Sequence, residues 1–203
     1  MATKERILAL LRGTEAGRIR FTVATTDGLI TVNRAVFETV ATAIQTGKIK
    51  VTPQAVFSPG VGAEYHTGAV PGGPSGELLI PPLFGREQEG MAMHELTHAF
   101  FDLKSTNITA TEEEAVCYVV DALYFRMTGL TPTRWSNEPH KTAGTVADGL
   151  LHQYQVGAAG IPAVDVTAWR GLVLAVALNP TYILKTAGFV HWFGGADRYT
   201  NDG

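Results

Sequence analysis

The sequence predicts an α+β fold in which a strand-rich first part packs on a helical second part. Two observations lead to this prediction. Segments rich in β-branched residues alternate with turn residues before position 86, and apolar residues recur at helical spacing after it. The 203 residues are 45% hydrophobic and 17% charged, which is enough apolar material for a buried core. We therefore expect one domain over residues 1–203, strand-rich over 1–85 and helical over 86–203.

The first part is predicted to begin with a short amphipathic helix that Gly13 ends. A hairpin turn at Asp27-Gly28 then joins strands over Arg18–Thr25 and Leu29–Asn33. The other elements predicted here are a helix over Arg34–Thr46 capped by Asn33, short strands over Ile49–Val51, Ala55–Phe57 and Glu77–Ile80, and a Gly/Pro-rich surface loop or hairpin over Ser58–Gly76.

The second part is predicted to consist of helices. Glu87–Leu103 is the first, and a second helix begins at a cap residue, Thr109 or Thr111, and runs to about Met127 before Gly129 ends it. Two further helices are expected over His140–Val156 and Val166–Leu178.

Charge and cysteine content exclude several classes of protein. A net charge of −3 provides no basic surface for nucleic acid. The single cysteine, Cys117, excludes an internal disulfide and a zinc site made of several thiolates, and we interpret it as a core residue. The first residues do not resemble a secretory signal, and the longest apolar stretch, Gly171–Leu178, is too short to span a bilayer. We expect a soluble cytoplasmic protein without a membrane partner, with signal-less export left open and no indication of oligomeric state.

One motif carries the chemistry: the segment His94-Glu95-Leu96-Thr97-His98 has the pattern H-E-x-x-H on a predicted helix. Histidines four residues apart lie on one helical face, so the imidazoles of His94 and His98 can converge on one ion. Neutral imidazoles suit Zn²⁺, which lowers the pKa of a bound water to about 7. Glu95 can then take the proton as this water attacks a carbonyl.

The third zinc ligand is predicted to be a glutamate. Gly and His are absent where an extended histidine motif would need them, and Glu112-Glu113-Glu114 opens the next helix, which can fold back beside the histidines. On a helix, Glu112 shares an apolar face with Ala115, whereas Glu114 shares a more polar one. We favour Glu114, with Glu112 and Glu113 as alternatives, although acidic residues in a first helical turn also stabilise the helix dipole.

The sequence over Gly76–Met127 resembles the gluzincins, the His-His-Glu branch of the zincin metallopeptidases. It is most similar to compact single-domain members such as the ImmA/IrrE type. The resemblance implies a zincin-like fold, one Zn²⁺ per chain, His94 and His98 as ligands and Glu95 as general base. Glu114-Ala115 matches many gluzincins, in which a small residue follows the ligand glutamate. In the ImmA/IrrE pattern the small residue stands three positions later, which matches Glu112.

Further roles around this site stay open in the sequence. Asp102 and Asp121 are the acids available to orient a ligating histidine. The resemblance implies a histidine or tyrosine that stabilises an oxyanion, for which His152, Tyr154 and His191 are the candidates, and Tyr65-His66 can line the cleft.

We expect a zinc metallopeptidase that hydrolyses peptide bonds of a peptide or protein by metal-activated water. The substrate would add along an edge strand at Gly76–Ile80. The alternative is a non-catalytic binding or regulatory module with the zincin fold. Its structural metal would have a fourth protein ligand, with His140 or His152 as the candidates.

Overall fold

The computed structural model describes residues 3–57, 62–68, 75–131, 138–157 and 160–180, and it confirms the α+β fold. Within these residues the strands all lie before residue 81, and helices form the later part. In chain order the elements are α1 (Thr3–Arg12), α2 (Thr14–Arg18), β1 (Phe21–Thr25), β2 (Gly28–Val32), α3 (Arg34–Gln45), β3 (Ile49–Pro53), β4 (Glu64–Thr67), β5 (Gly76–Ile80), α4 (Arg86–Lys104), α5 (Ala110–Thr128), α6 (His140–Gln155) and α7 (Val166–Ala177).

The strands form two small sheets. β1 and β2 make the antiparallel hairpin that the sequence predicts, in which Gly28 has a φ of 139°, a conformation that favours glycine. The other sheet has the order β3-β5-β4, with β3 parallel and β4 antiparallel to β5. The short helix α2 was not predicted, and it delays the first strand from Arg18 to Phe21.

Two strand predictions were wrong. The segment Gly76–Ile80 was expected at a sheet edge, but β5 is the central strand because the Gly/Pro-rich stretch before it contains β4, which pairs along its other side. No strand forms over Ala55–Phe57. β3 ends at Pro53, which pairs with Ile80, the last residue of β5. Pro81 and Pro82 follow Ile80 and cannot donate backbone hydrogen bonds, so β5 offers no partner for a strand beyond Gln54.

Helices α4 and α5 pack antiparallel at the centre of the helical part. Thr109 is the observed cap of α5, and Gly129 ends the helix with a φ of 70°, both as the sequence indicates. Gly90 allows the two helices to approach closely, because a Cβ at that position would lie 2.3 Å from Cζ of Phe125. Almost every side chain in the middle of α5 is buried. The two helices that carry the H-E-x-x-H motif and the glutamates therefore share one closely packed interface.

Helices α6 and α7 complete the helical part. Arg126 of α5 makes a two-pronged ion pair with Asp148 of α6, at 2.6 and 2.9 Å. Asp165 caps α7 by accepting hydrogen bonds from the N–H groups of Thr167 and Ala168. Among the described residues, every helix is too short or too polar to cross a bilayer.

Candidate metal centre

Three side-chain atoms from α4 and α5 meet in a nearly equilateral triangle. Nε2 of His94 lies 3.3 Å from Nε2 of His98. Oε2 of Glu114 lies 3.3 Å from the first nitrogen and 3.5 Å from the second. Ligand atoms around a tetrahedral zinc ion with Zn–N distances of 2.0–2.1 Å are separated by about 3.3–3.4 Å. The spacing and the chemistry of these three donors fit a zinc ion.

The fold explains why these atoms meet. The two histidines are one helical turn apart on α4, and the antiparallel packing brings the first turn of α5 beside the last turns of α4. The side chains of His94, His98 and Glu114 retain 12%, 8% and 15% of their exposure. The site is therefore largely desolvated, and Glu114 has its most exposed side chain.

The three glutamates at the start of α5 have different partners. Glu112 accepts hydrogen bonds from the backbone N–H and hydroxyl of Thr26 and from the hydroxyl of Thr109, which attaches the β1–β2 turn to the helix. Glu113 accepts from Nδ1 of His98 at 2.8 Å. Glu114 is the glutamate whose carboxylate lies against the Nε2 atoms of both histidines. Of the three alternatives that the sequence leaves open, this geometry favours Glu114 as the ligand.

Glu113 orients His98, a role for which the sequence had offered Asp102 and Asp121. A hydrogen bond from Nδ1–H to a carboxylate leaves the lone pair of Nε2 for a metal. Asp102 instead accepts from the hydroxyl of Tyr65 at 2.8 Å, and Asp121 is buried against Gly90. The sequence signal for Glu113 was weak, because an acid in a first helical turn is usually explained by the helix dipole.

Replacing Glu113 by Gln should weaken zinc binding by about 10–100-fold, the usual cost of losing a partner that orients a ligand. Gln keeps the shape of the side chain but loses the negative charge that makes the imidazole of His98 a stronger ligand. Competition with a chromophoric chelator measures the affinity. The matched control is Glu112→Gln, a buried neighbour that bonds to threonines rather than to a histidine, and it should leave the zinc affinity of the folded protein within a few-fold. Equal affinities for wild type and Glu113→Gln would refute the role.

The charges of the site reinforce one another. Burial acts to lower the pKa of His98, but the carboxylates of Glu114 and Glu113 and a hydrogen bond with Cys117 outweigh burial and hold this pKa well above its usual value. Burial acts to raise the pKa of Glu114, but His98 and His94 hold it well below its usual value. These directions favour an imidazolium beside a carboxylate when no metal is bound, so protons would compete with a metal and metal binding would weaken as the pH falls.

Glu95 follows His94 on α4, and its carboxylate is held by the edge strand β4. Its Oε2 accepts a hydrogen bond of 2.9 Å from the backbone N–H of Tyr65. The ring of Tyr65 crosses over Gly76, where a Cβ would lie 2.1 Å from the tyrosine oxygen, to reach Asp102. The predicted cleft residue Tyr65 is thus close to the motif through its backbone, whereas His66 pairs with Glu64 at 3.1 Å.

Two aromatic rings, those of Tyr118 and His140, pack in a row next to His94. The sequence had predicted no oxyanion role for either of them. The ring of Tyr118 packs edge-on to His94 with centroids 4.8 Å apart, and the ring of His140 packs on Tyr118 at 4.9 Å. Of the three residues predicted for that role, the two that the structure describes make another contact or face solvent. Tyr154 donates its hydroxyl to the carbonyl of Arg20, His152 is exposed on α6, and His191 lies outside the described residues.

Cys117 is buried, as expected, but it is also part of the site. Three ligand atoms, one from each of His94, His98 and Cys117, lie within 4.8 Å of one another. The thiol of Cys117 is within hydrogen-bonding reach of His98. Burial raises the pKa of Cys117 to about 12, so the thiol is neutral in the metal-free protein. The sequence could not reveal this proximity, because a cysteine within an apolar helix looks the same in either setting.

Comparisons with protein-family models, with curated proteins and with solved structures find no match to this chain. The chemistry of the site must therefore be inferred from its own side chains.

Proposed function

We propose that this protein is a zinc-dependent metallopeptidase similar to the gluzincins, with one Zn²⁺ per chain. His94, His98 and Glu114 are the proposed ligands, and Glu95 is the proposed general base. The observation that carries the proposal is the triangle of Nε2, Nε2 and Oε2 with sides of 3.3, 3.3 and 3.5 Å. Three protein ligands leave a fourth tetrahedral position open, which is the arrangement of catalytic rather than structural zinc.

When bound, zinc supplies a Lewis acid that polarises a carbonyl and lowers the pKa of water to about 7. The protein's own part is to place a base beside that chemistry. Glu95 follows His94 on α4, and its carboxylate is fixed by the N–H of Tyr65. A carboxylate held in this way can accept a proton at Oε from the attacking water and return it to the leaving nitrogen of the substrate.

The outer edge of β4 suits an extended peptide. The backbone N–H of Gly68 donates to the carbonyl of Ser75, so Gly68 and Ser75 form a hydrogen-bonded pair. Along an antiparallel ladder such pairs alternate with pairs that are not hydrogen-bonded, so every second residue of β4 has its backbone groups on the outer edge. The N–H of Tyr65 points to Glu95, so Tyr65 and Thr67 turn their backbone groups away from β5. A substrate strand that adds to this edge would run past the proposed base. The edge strand of the proposal is thus β4, in place of the segment Gly76–Ile80.

A second candidate function is a non-catalytic binding or regulatory module with a closed structural metal site. The proximity of Cys117 to both histidines favours it, because a cysteine could supply a fourth protein ligand where His140 or His152 had been expected to do so. Glu95 weighs against this function, since a structural zinc site has no use for a base beside it.

Peptide cleavage tests the proposal directly. Wild-type protein holding one zinc per chain should cleave internal bonds in a mixture of unstructured peptides, as read by mass spectrometry of the products. Removal of zinc with phenanthroline should abolish cleavage, and added zinc, but not magnesium, should restore it, because three nitrogen and oxygen donors in this spacing match zinc. A zinc-loaded protein that leaves every peptide intact would favour the module with a structural metal.

A further inference from the structure

We propose that Cys117 is a further ligand of the metal centre, so that the site has a closed form with four protein ligands besides its open form. The closed form uses His94, His98, Glu114 and Cys117, and it has no position for water. This inference rests on the proposed zinc site and adds to it a built-in means of holding the enzyme inactive.

The position of Cys117 on α5 supports this role. It follows Glu114 by three residues, so both side chains lie on the helical face that meets α4. The ligand atoms of Cys117 and the two histidines are at most 4.8 Å apart. A thiolate and an imidazole on the same zinc ion are separated by about 3.5 Å, and rotation about χ1 of a cysteine moves Sγ by more than the difference between these two distances.

In the two forms the fourth ligand reaches the metal from opposite sides of the site. The side chains of His94 and Glu114 retain some exposure, whereas Cys117 has none, so the thiol approaches from the protein interior and water from outside. Were zinc bound, closure would exchange the S–H bond of Cys117 for an Sγ–zinc bond, release the thiol proton to solvent and displace water from the fourth position. No oxidant or reductant takes part. Closure would remove the nucleophile without moving Glu95.

The surrounding helix provides a contrast. The neighbours of Cys117 along α5 are buried apolar residues such as Ala115, Val116, Val119 and Val120, any of which would fill a core position without offering a donor. Cys117 stands where a soft donor can reach two imidazoles, and thiolate is a preferred ligand of zinc.

Substitution of zinc by Co²⁺ tests the inference spectroscopically. Nitrogen and carboxylate ligation gives visible d–d bands, and a coordinated thiolate adds a charge-transfer band in the near ultraviolet. Because Cys117 is the sole cysteine of the chain, such a band in the wild-type protein can come from no other residue. We expect both sets of bands in wild type, and complete loss of the charge-transfer band with retention of d–d bands in Cys117→Ala and Cys117→Ser.

The possible failures are distinguishable. Stoichiometric cobalt with d–d bands and no charge-transfer band in wild type would overturn the role of Cys117 and leave the proposed function intact. A wild-type protein that binds no cobalt would overturn both. The wild-type spectrum alone decides between these outcomes if a cysteine variant does not fold.

Discussion

Glu95→Gln should abolish measurable peptide hydrolysis while the protein keeps one zinc per chain. Gln has the shape of Glu and still offers an oxygen to the N–H of Tyr65, so the packing of β4 on α4 should persist. It cannot accept a proton from the attacking water, and loss of a general base costs about 10²–10⁴-fold in rate. We expect kcat/KM on a cleaved peptide to fall by at least about 100-fold, and zinc content measured by plasma emission to stay unchanged.

A matched substitution on the same helix separates the base from a general effect of charge. Glu87 lies exposed in the first turn of α4, away from the histidines, and Glu87→Gln should retain the wild-type rate. Near-wild-type hydrolysis by Glu95→Gln would remove Glu95 from the mechanism, whatever the metal does.

His94→Ala should lose zinc and, with it, all hydrolysis. It removes one of three donor atoms and leaves the carboxylate of Glu114 without its 3.3 Å partner in a largely buried site. The loss of affinity should exceed the about 10–100-fold that removal of an orienting partner costs, because a ligand itself is missing. Zinc per chain after dialysis against a weak chelator measures this, with expected values near zero for the variant and near one for wild type.

The control for the metal prediction is His152→Ala. His152 is exposed near the end of α6, and its removal should change neither zinc content nor rate. Full zinc binding by His94→Ala would contradict the ligand assignment, and loss of zinc in both variants would point to a histidine-rich surface site instead.

Local rules were enough to predict much of the fold. The cap at Asn33, the ends of α1 and α5 at Gly13 and Gly129, and the long helix with the motif depend on neighbouring residues. The sheet order does not, because β4 is four residues long within a Gly/Pro-rich stretch. A strand that short gives no periodic signal, and its pairing with β5 is decided by contacts distant in sequence.

The candidate site divides in the same way. Helical spacing alone brings His94 and His98 to one face, and helical phase favours Glu114. The hydrogen bonds of Glu113 to His98 and of Glu95 to Tyr65 join separate elements, as does the approach of Cys117 to the histidines. Such contacts depend on how two helices and a strand pack, and a sequence pattern along one element cannot predict them.

Anomalous diffraction at the zinc edge tests the central claim most directly. Crystals of the wild-type protein grown with equimolar zinc should show one strong peak per chain, within about 2.0–2.2 Å of Nε2 of His94, Nε2 of His98 and Oε2 of Glu114. The open form would add a water at the fourth position, and the closed form the sulfur of Cys117. No peak between these residues, or a peak ligated elsewhere on the chain, would contradict the proposed zinc site.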